Sequence, residues 1–306
     1  MKKTAIALSF ALVAVNAYAF DPDATLKTVG SIAEYTKTEY SITQKFGDYY
    51  RSPKAKFVHS YASNGKEAET SELTTRDSLV DKIVYGYDAQ GHVVSKVCTD
   101  ADGKVSWKVV SAYDKSGNKI DESEYNAGDI LVNRSIWKFA GKQSEEALYN
   151  TDGALLGKTI TKFDEMGRKL EVSIYNADGF LDEKQNYTYN DAGKLSEVVH
   201  SAPDGKQIKR IVYRFDSSYS VTEKQTYNAD NKLSVREIFK YDSTGNVSKA
   251  TTYSVAEKFG GTVNELTGIC EYSYKYGAGS ASLTTVSDTS SAADAAVGTD
   301  SASDAK

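Results

Sequence analysis

The chain is poor in the residues that build metal and redox centres, with two cysteines and three histidines among 306 residues. His59, His92 and His200 stand at unrelated positions, so no convergent ligand set for a metal is expected. Asp100-Ala101-Asp102-Gly103 has the look of a calcium loop, yet an EF-hand begun at Asp100 would need a glutamate where Ser111 stands. Nucleophile and phosphate signatures are missing as well: there is no Gly-x-Ser-x-Gly, no His-Glu-x-x-His and no P-loop. The expectation is a protein without cofactor and without enzymatic activity. Cationic patches are absent too, since charges of both signs are interspersed along a chain of net charge −5, which argues against nucleic acid as a partner.

Long apolar runs are confined to one place. Met1 to Ala19 carries Lys2 and Lys3, an apolar stretch from Thr4 to Val15, and then Asn16-Ala17-Tyr18-Ala19. This is the pattern of a secretory signal peptide over 1–19, cleaved to leave Phe20 first. The apolar run falls short of the roughly 20 residues that span a bilayer. A lipid anchor would need a cysteine at the cleavage point, and the first is Cys98. Segments such as Lys119 to Glu124 offer no lipid-facing band, so an outer-membrane barrel is not expected and no membrane span is assigned. The protein is expected to be exported, to the periplasm, the cell surface or the medium. From Gly277 to Lys306 the chain is nearly all Gly, Ala, Ser, Thr and Asp, which reads as a disordered tail.

What the chain has in abundance is tyrosine, 22 against 10 phenylalanines, a residue suited to half-exposed pleated sheet. The tyrosines keep a period. Turn-opening aromatics fall at Tyr61, Tyr87, Tyr113, Phe139, Phe163, Tyr189, Phe215 and Tyr241, in steps of 26 apart from 24 between Phe139 and Phe163. Four residues on stand Gly65, Gly91, Gly117, Gly167, Gly193 and Gly245; Tyr219 fills that slot in the Phe215 unit, and Ala140-Gly141 shortens the turn after Phe139. A second turn recurs about 12 residues into most units, as in Tyr125-Asn126-Ala127-Gly128, Tyr149-Asn150-Thr151-Asp152-Gly153 and Tyr227-Asn228-Ala229-Asp230-Asn231. Asn or Asp can hydrogen-bond the backbone two residues on, and the last turn residue must take positive φ, where Gly and then Asn are cheapest. That is a type I turn with a glycine bulge, a common hairpin connection.

Segments of about 7 to 10 residues between turns have strand length. Aromatics two apart, Tyr85 and Tyr87, Trp137 and Phe139, Tyr187 and Tyr189, Tyr213 and Phe215, Phe239 and Tyr241, share one sheet face. The expected fold is all-β: an extended antiparallel β-meander of tandem 26-residue two-stranded repeats, an open or curled sheet. Its repeat domain covers 61–276, a segment over 20–60 caps its first edge, and rows of rings stack along it. In an open array Cys98 and Cys270 lie many strands apart, at about 4.8 Å each, out of the roughly 7 Å reach of a disulfide. Both thiols are expected free.

The Tyr-Asp-x-x-Gly turns, as in Tyr87-Asp88-Ala89-Gln90-Gly91 and Tyr241-Asp242-Ser243-Thr244-Gly245, resemble the YD repeats of rearrangement-hotspot proteins and teneurins. The alternating Tyr-Asn-x-Asp-Gly turns are similar to those of secreted repeat proteins from Bacteroidetes. The resemblance implies the repeat fold over 61–276; the longer period departs from the YD pattern, and no toxin domain is attached. The expected function is a secreted or cell-surface scaffold that binds a protein partner along its sheet face or open edge. The alternative is glycan binding by the aromatic rows, with Tyr85, Trp137, Tyr187, Tyr213 and Phe239 as the candidate surface; a hydrolase is the third reading.

Overall fold

The computed structural model describes residues 28–286 apart from residue 259. The signal peptide expected over 1–19 and the part of the expected tail beyond 286 lie outside the described residues, while 277–286 lies along the sheet, with the Ala281 N–H donating to the Tyr61 carbonyl and the Val286 N–H to that of Tyr87.

Turn chemistry sets the strand boundaries. At the Tyr87 turn the Gly91 N–H donates to the Asp88 carbonyl and the Asp88 N–H to the His92 carbonyl, both at 3.1 Å. Asp88 Oδ1 accepts the N–H groups of Gly91 and His92 at 2.6 and 2.8 Å. The second turns repeat this with asparagine: Asn150 Oδ1 accepts from Asp152 and Ala154 N–H, each at 2.9 Å. Tyr219 and Asn231 do stand at positive φ, 61° and 58°. One boundary differs from expectation. The turn after Tyr125 is closed by Asp129 at φ 64°, not by Gly128, because Asn126 keeps the same three-residue offset that separates Asn150 from Gly153. In the first unit, Thr74 takes the asparagine's role, accepting from Arg76 and Ser78 N–H, and Asp77 stands at φ 62°.

Among the described residues nineteen strands form one sheet. A long hairpin opens it, β1 (Ile32–Lys45) and β2 (Asp48–Tyr61). The repeats follow as β3 (Glu67–Leu73), β4 (Leu79–Tyr87), β5 (Val93–Asp100), β6 (Val105–Tyr113), β7 (Lys119–Asn126), β8 (Leu131–Ala140), β9 (Gln143–Asn150) and β10 (Leu155–Phe163). They continue as β11 (Lys169–Asn176), β12 (Leu181–Tyr189), β13 (Leu195–Ser201), β14 (Gln207–Phe215), β15 (Val221–Tyr227) and β16 (Leu233–Tyr241). A second long hairpin, β17 (Val247–Lys258) and β18 (Gly261–Tyr276), ends the meander, and β19 (Thr284–Thr285) adds a short parallel contact to β4.

The expectation of an open or curled sheet is overturned by one pairing. β1 runs antiparallel to β18 from Ile32↔Tyr276 to Ser41↔Gly268, so eighteen strands close into an antiparallel barrel. Closure follows from stagger. The ladder of β4 with β3 ends at Val84, whereas that with β5 runs to Tyr87; the same offset recurs in β6, β12, β14 and β16. Offsets of one sign tilt the strands, and a tilted, twisted sheet comes round on itself. An aromatic cluster fastens the seam. The buried Tyr35 ring stacks on His59 at 4.2 Å and lies 5.7 Å from Tyr274 and 6.2 Å from Tyr61, joining β1, β2 and β18.

Register fixes the faces. Tyr274, Tyr35, His59, Thr70, Ile83, Cys98 and Trp107 are cross-strand partners in succession, hence on one face. Apart from Val212, Ser173 and Ile269, the buried side chains within strands belong to this face. Bending a sheet into a tube crowds the concave side, so this face is the lumen wall. On the convex wall ion pairs recur between residues 13 apart on neighbouring strands: Glu69 with Lys82 (3.6 Å), Glu145 with Lys158 (3.4 Å), Glu171 with Lys184 (2.5 Å), Glu197 with Arg210 (2.9 Å), Glu223 with Arg236 (2.6 Å), and Asp121 with Arg134.

Closure also corrects the expectation of no membrane span. Among the described residues no helix is long and apolar enough to cross a membrane, but a closed barrel satisfies its backbone within its own wall and is the β architecture that can cross by strands. The expectation had been drawn from segments such as Lys119 to Glu124, which offer no lipid-facing apolar band. The thiols of Cys98 and Cys270 are free. Closure brings them nearer than the open array would, to five strands apart by way of β1, still about 24 Å at the inter-strand spacing.

Candidate functional site

The lumen wall carries an apolar cluster on β13 to β17, with Leu195, Val198, Tyr213, Val221, Phe239, Val247 and Ala250 packed together. Over β7 to β12 aromatic and polar side chains together line a cleft of about 430 Å³.

One slot of the repeat makes the difference. Except in the Phe139 unit, the residue that begins the strand after a first turn sits at a bulge, where the register slips and its side chain turns into the lumen. In β13, β15 and β17 that residue is Leu195, Val221 or Val247, and it joins the apolar cluster. In β7 and β11 it is Lys119 or Lys169, and both line the cleft. Lys119 Nζ lies 5.5 Å from the centre of the Trp137 ring and 2.6 Å from Glu122 Oε2, which also accepts the Ser111 hydroxyl at 2.9 Å. Lys169 Nζ lies 5.6 Å from the centre of the Tyr187 ring, and the Tyr187 hydroxyl donates to Gln185 Oε1 at 2.8 Å.

Two carboxyls on this stretch of wall differ in character. Burial pushes the Glu146 carboxyl above the usual range, with Glu122 adding to the rise and Ser135 opposing it. Burial acts on Glu122 in the same sense, but the hydrogen bond and charge of Lys119, with Ser111, hold it below. The wall thus presents two aromatic faces, two ammonium groups, a carboxyl of raised pKa, and the amide and hydroxyl groups of Gln185 and Thr161.

Of the five aromatics expected to form a surface, all share the lumen face, and the structure divides them. Tyr85, Tyr213 and Phe239 are buried at 6, 4 and 8% exposure and belong to the packed wall. Trp137 and Tyr187 line the cleft. Rings of successive units rise from strands two apart, about 10 Å at the backbone, and cations sit over several of them, as Lys66 does on Tyr87 (4.9 Å) and Arg168 on Tyr189 (4.4 Å). Sequence reasoning missed Lys119, Lys169 and Glu146. The signal was available for the lysines, because aligning the units shows that slot changing from apolar to Lys.

The histidines lie on separate strands or turns, each with Nδ1 on a carboxylate: His59 on Glu67 (2.6 Å), His92 on Asp88 (2.8 Å) and His200 on Glu183 (2.7 Å). The calcium-like loop is a turn, with Asp100 Oδ1 accepting from Asp102 and Lys104 N–H.

No known family pattern and no curated protein matches the chain. Among solved structures, a porin-like protein from Bacteroides uniformis ATCC 8492 superposes with a TM-score of 0.45 at 10% identity, over 81% of this chain and 99% of that one. The TcdB2-TccC3-TEV structure gives 0.28 at 12% identity, over 77% of this chain and 15% of its own. A DUF1329 family protein from Desulfovibrio piger ATCC 29098 gives 0.21 at 11% identity, over 80 and 86%. These likenesses are too distant to carry an activity across.

Proposed function

We propose that the protein is an exported, non-enzymatic barrel that binds a saccharide on its lumen wall. The observation that carries this reading is the cleft between Trp137 and Tyr187, where aromatic faces stand beside Glu146, Gln185 and Thr161. Apolar faces of sugar rings stack on indole and phenol rings, while carboxyl, amide and hydroxyl groups match their hydroxyls. A barrel of this strand number is wide enough to leave room inside for a ligand. The reading of a protein partner docked on an open sheet edge loses its ground on closure, since β1 and β18 cover one another. Export is inferred from the signal-like segment 1–19, and kinship with YD-repeat proteins from the Tyr-Asp-x-x-Gly turns.

The test is a glycan array of plant, host and bacterial polysaccharides probed with the wild-type chain and with Trp137→Ala. The expected result is retention of the wild type on at least one polysaccharide and its loss in the variant at an unchanged melting temperature. Absence of retention on every polysaccharide would sink the proposal.

A further inference from the structure

The hairpin β1–β2 extends past its ladders with both neighbours, as the hairpin β17–β18 beside it also does. Its ladder with β18 ends at Ser41↔Gly268, whereas β1 and β2 stay paired to Lys45↔Asp48. The connection between them is the two residues Phe46 and Gly47, both at positive φ, 53° and 89°. That is the type I′ geometry, which asks for Asn, Asp or Gly at its first central position. Phenylalanine there is unfavourable, because the left-handed conformation brings its Cβ against the following carbonyl oxygen. Packing does not compensate, because the Phe46 ring is fully exposed. Tyr49 and Tyr50, directly behind it, are 42 and 52% exposed. A strained backbone position occupied by a bulky ring in open solvent has no account in the fold, and such outliers point to function.

The surroundings of the tip narrow the partner. Between residues 45 and 54 stand Lys45, Arg51 and Lys54 against Asp48 alone, a local excess of two positive charges in a chain of net charge −5. Arg51 is tied to Glu271 of β18, below the tip. One apolar ring at the apex, two tyrosines behind it and flanking cations match the layers of a membrane surface: acyl boundary, interfacial zone, anionic headgroups.

We infer that the β1–β2 tip is a membrane-contact device that seats Phe46 at the headgroup–acyl boundary of an anionic bilayer. The contact is independent of the lumen cleft, which lies on β7 to β12. It also accounts for the turn residue, since transferring the ring out of water recovers what its backbone conformation costs.

The test is flotation of the full chain with vesicles of phosphatidylcholine, with and without phosphatidylglycerol. Wild-type protein is expected to float with the anionic vesicles, less so as salt is raised. Phe46→Asn suits the turn better than the native residue, so its melting temperature should hold or rise while partitioning falls about tenfold or more. Two results would overturn the inference: no flotation of the wild type with either vesicle, or equal flotation of the wild type and Phe46→Asn. Loss of polysaccharide retention in Phe46→Asn, with neither protein floating, would assign the tip to a glycan and overturn it as well.

Discussion

The hydroxyl that distinguishes tyrosine from phenylalanine has a structural task at the first turns. Tyr87, Tyr113, Tyr189 and Tyr241 each donate to the backbone carbonyl 20 residues earlier, those of Glu67, Val93, Lys169 and Val221, at 2.6 to 3.1 Å. Those carbonyls open the preceding strand at its bulge, where the regular ladder is interrupted. Units opened by Phe139, Phe163 and Phe215 lack the donor, so the bond reinforces the step without being required at each one. Tyr113→Phe should cost about 1 kcal/mol, read as a lower denaturant midpoint at unchanged slope. Tyr219→Asn should act in the opposite sense: the native tyrosine is half exposed at φ 61°, and a residue tolerant of the left-handed region should raise stability by up to about 1 kcal/mol. Burial pushes the Cys98 thiol up to about 11 and that of Cys270 upward as well. Both should therefore resist a thiol reagent at neutral pH until the chain is unfolded; rapid labelling of Cys98 in native protein would contradict its placement in the wall.

At the scale of the element, a turn is defined by one acceptor side chain and one left-handed residue, and its electrostatics follow. The Asn118 side chain and backbone hold the Asp114 carboxyl below the usual range, and the backbone N–H of Arg168, with its guanidinium, does the same for Asp164. A carboxyl whose pKa is lowered by folding stabilises the protein above the ordinary aspartate value near 4, and that contribution is lost as pH falls through the lowered value. Stability of the wild type should fall through this acid window, and Asp114→Asn, which keeps the turn acceptor, should fall less steeply in thermal melts between neutral pH and about pH 2. Equal slopes would show that the turn carboxylate is not linked to folding. Turns were legible in the sequence because their chemistry is local: Asn150 through Gly153 contains its own explanation. The Tyr125 turn was misplaced by one residue because Gly128 outranked Asp129 on propensity, while the offset from Asn126 decided the geometry. The cleft was half legible. Trp137 and Tyr187 stood out as aromatics, but the bulge that brings Lys119 and Lys169 to the same face is a feature of register.

Closure belongs to the whole molecule. Thr36 and Ser273 are cross-strand partners on the convex wall at the seam, and in an open array they would stand at opposite ends. The double variant Thr36→Cys, Ser273→Cys should therefore form an intramolecular disulfide on mild oxidation, seen as a linked peptide by mass spectrometry; failure to cross-link in the monomer would contradict closure. Tyr35→Ala removes the ring that joins three strands and should cost about 3–5 kcal/mol, as large aromatic-to-alanine changes in packed sites do.

The sequence by itself determined the period, the turn type, the strands and, away from the bulges, the alternation of faces along each strand, because these depend on interactions within a few residues along the chain. Tertiary structure alone decided what that face encloses. The stagger at each step is small, and its sum brings β1 against β18 only after the full circuit, so neither turn chemistry nor hydrophobic alternation could distinguish an open ribbon from a barrel. The same closure made one row of aromatics the inside of a tube, buried Tyr85, Tyr213 and Phe239 in its wall, and left Trp137 and Tyr187 lining a cleft.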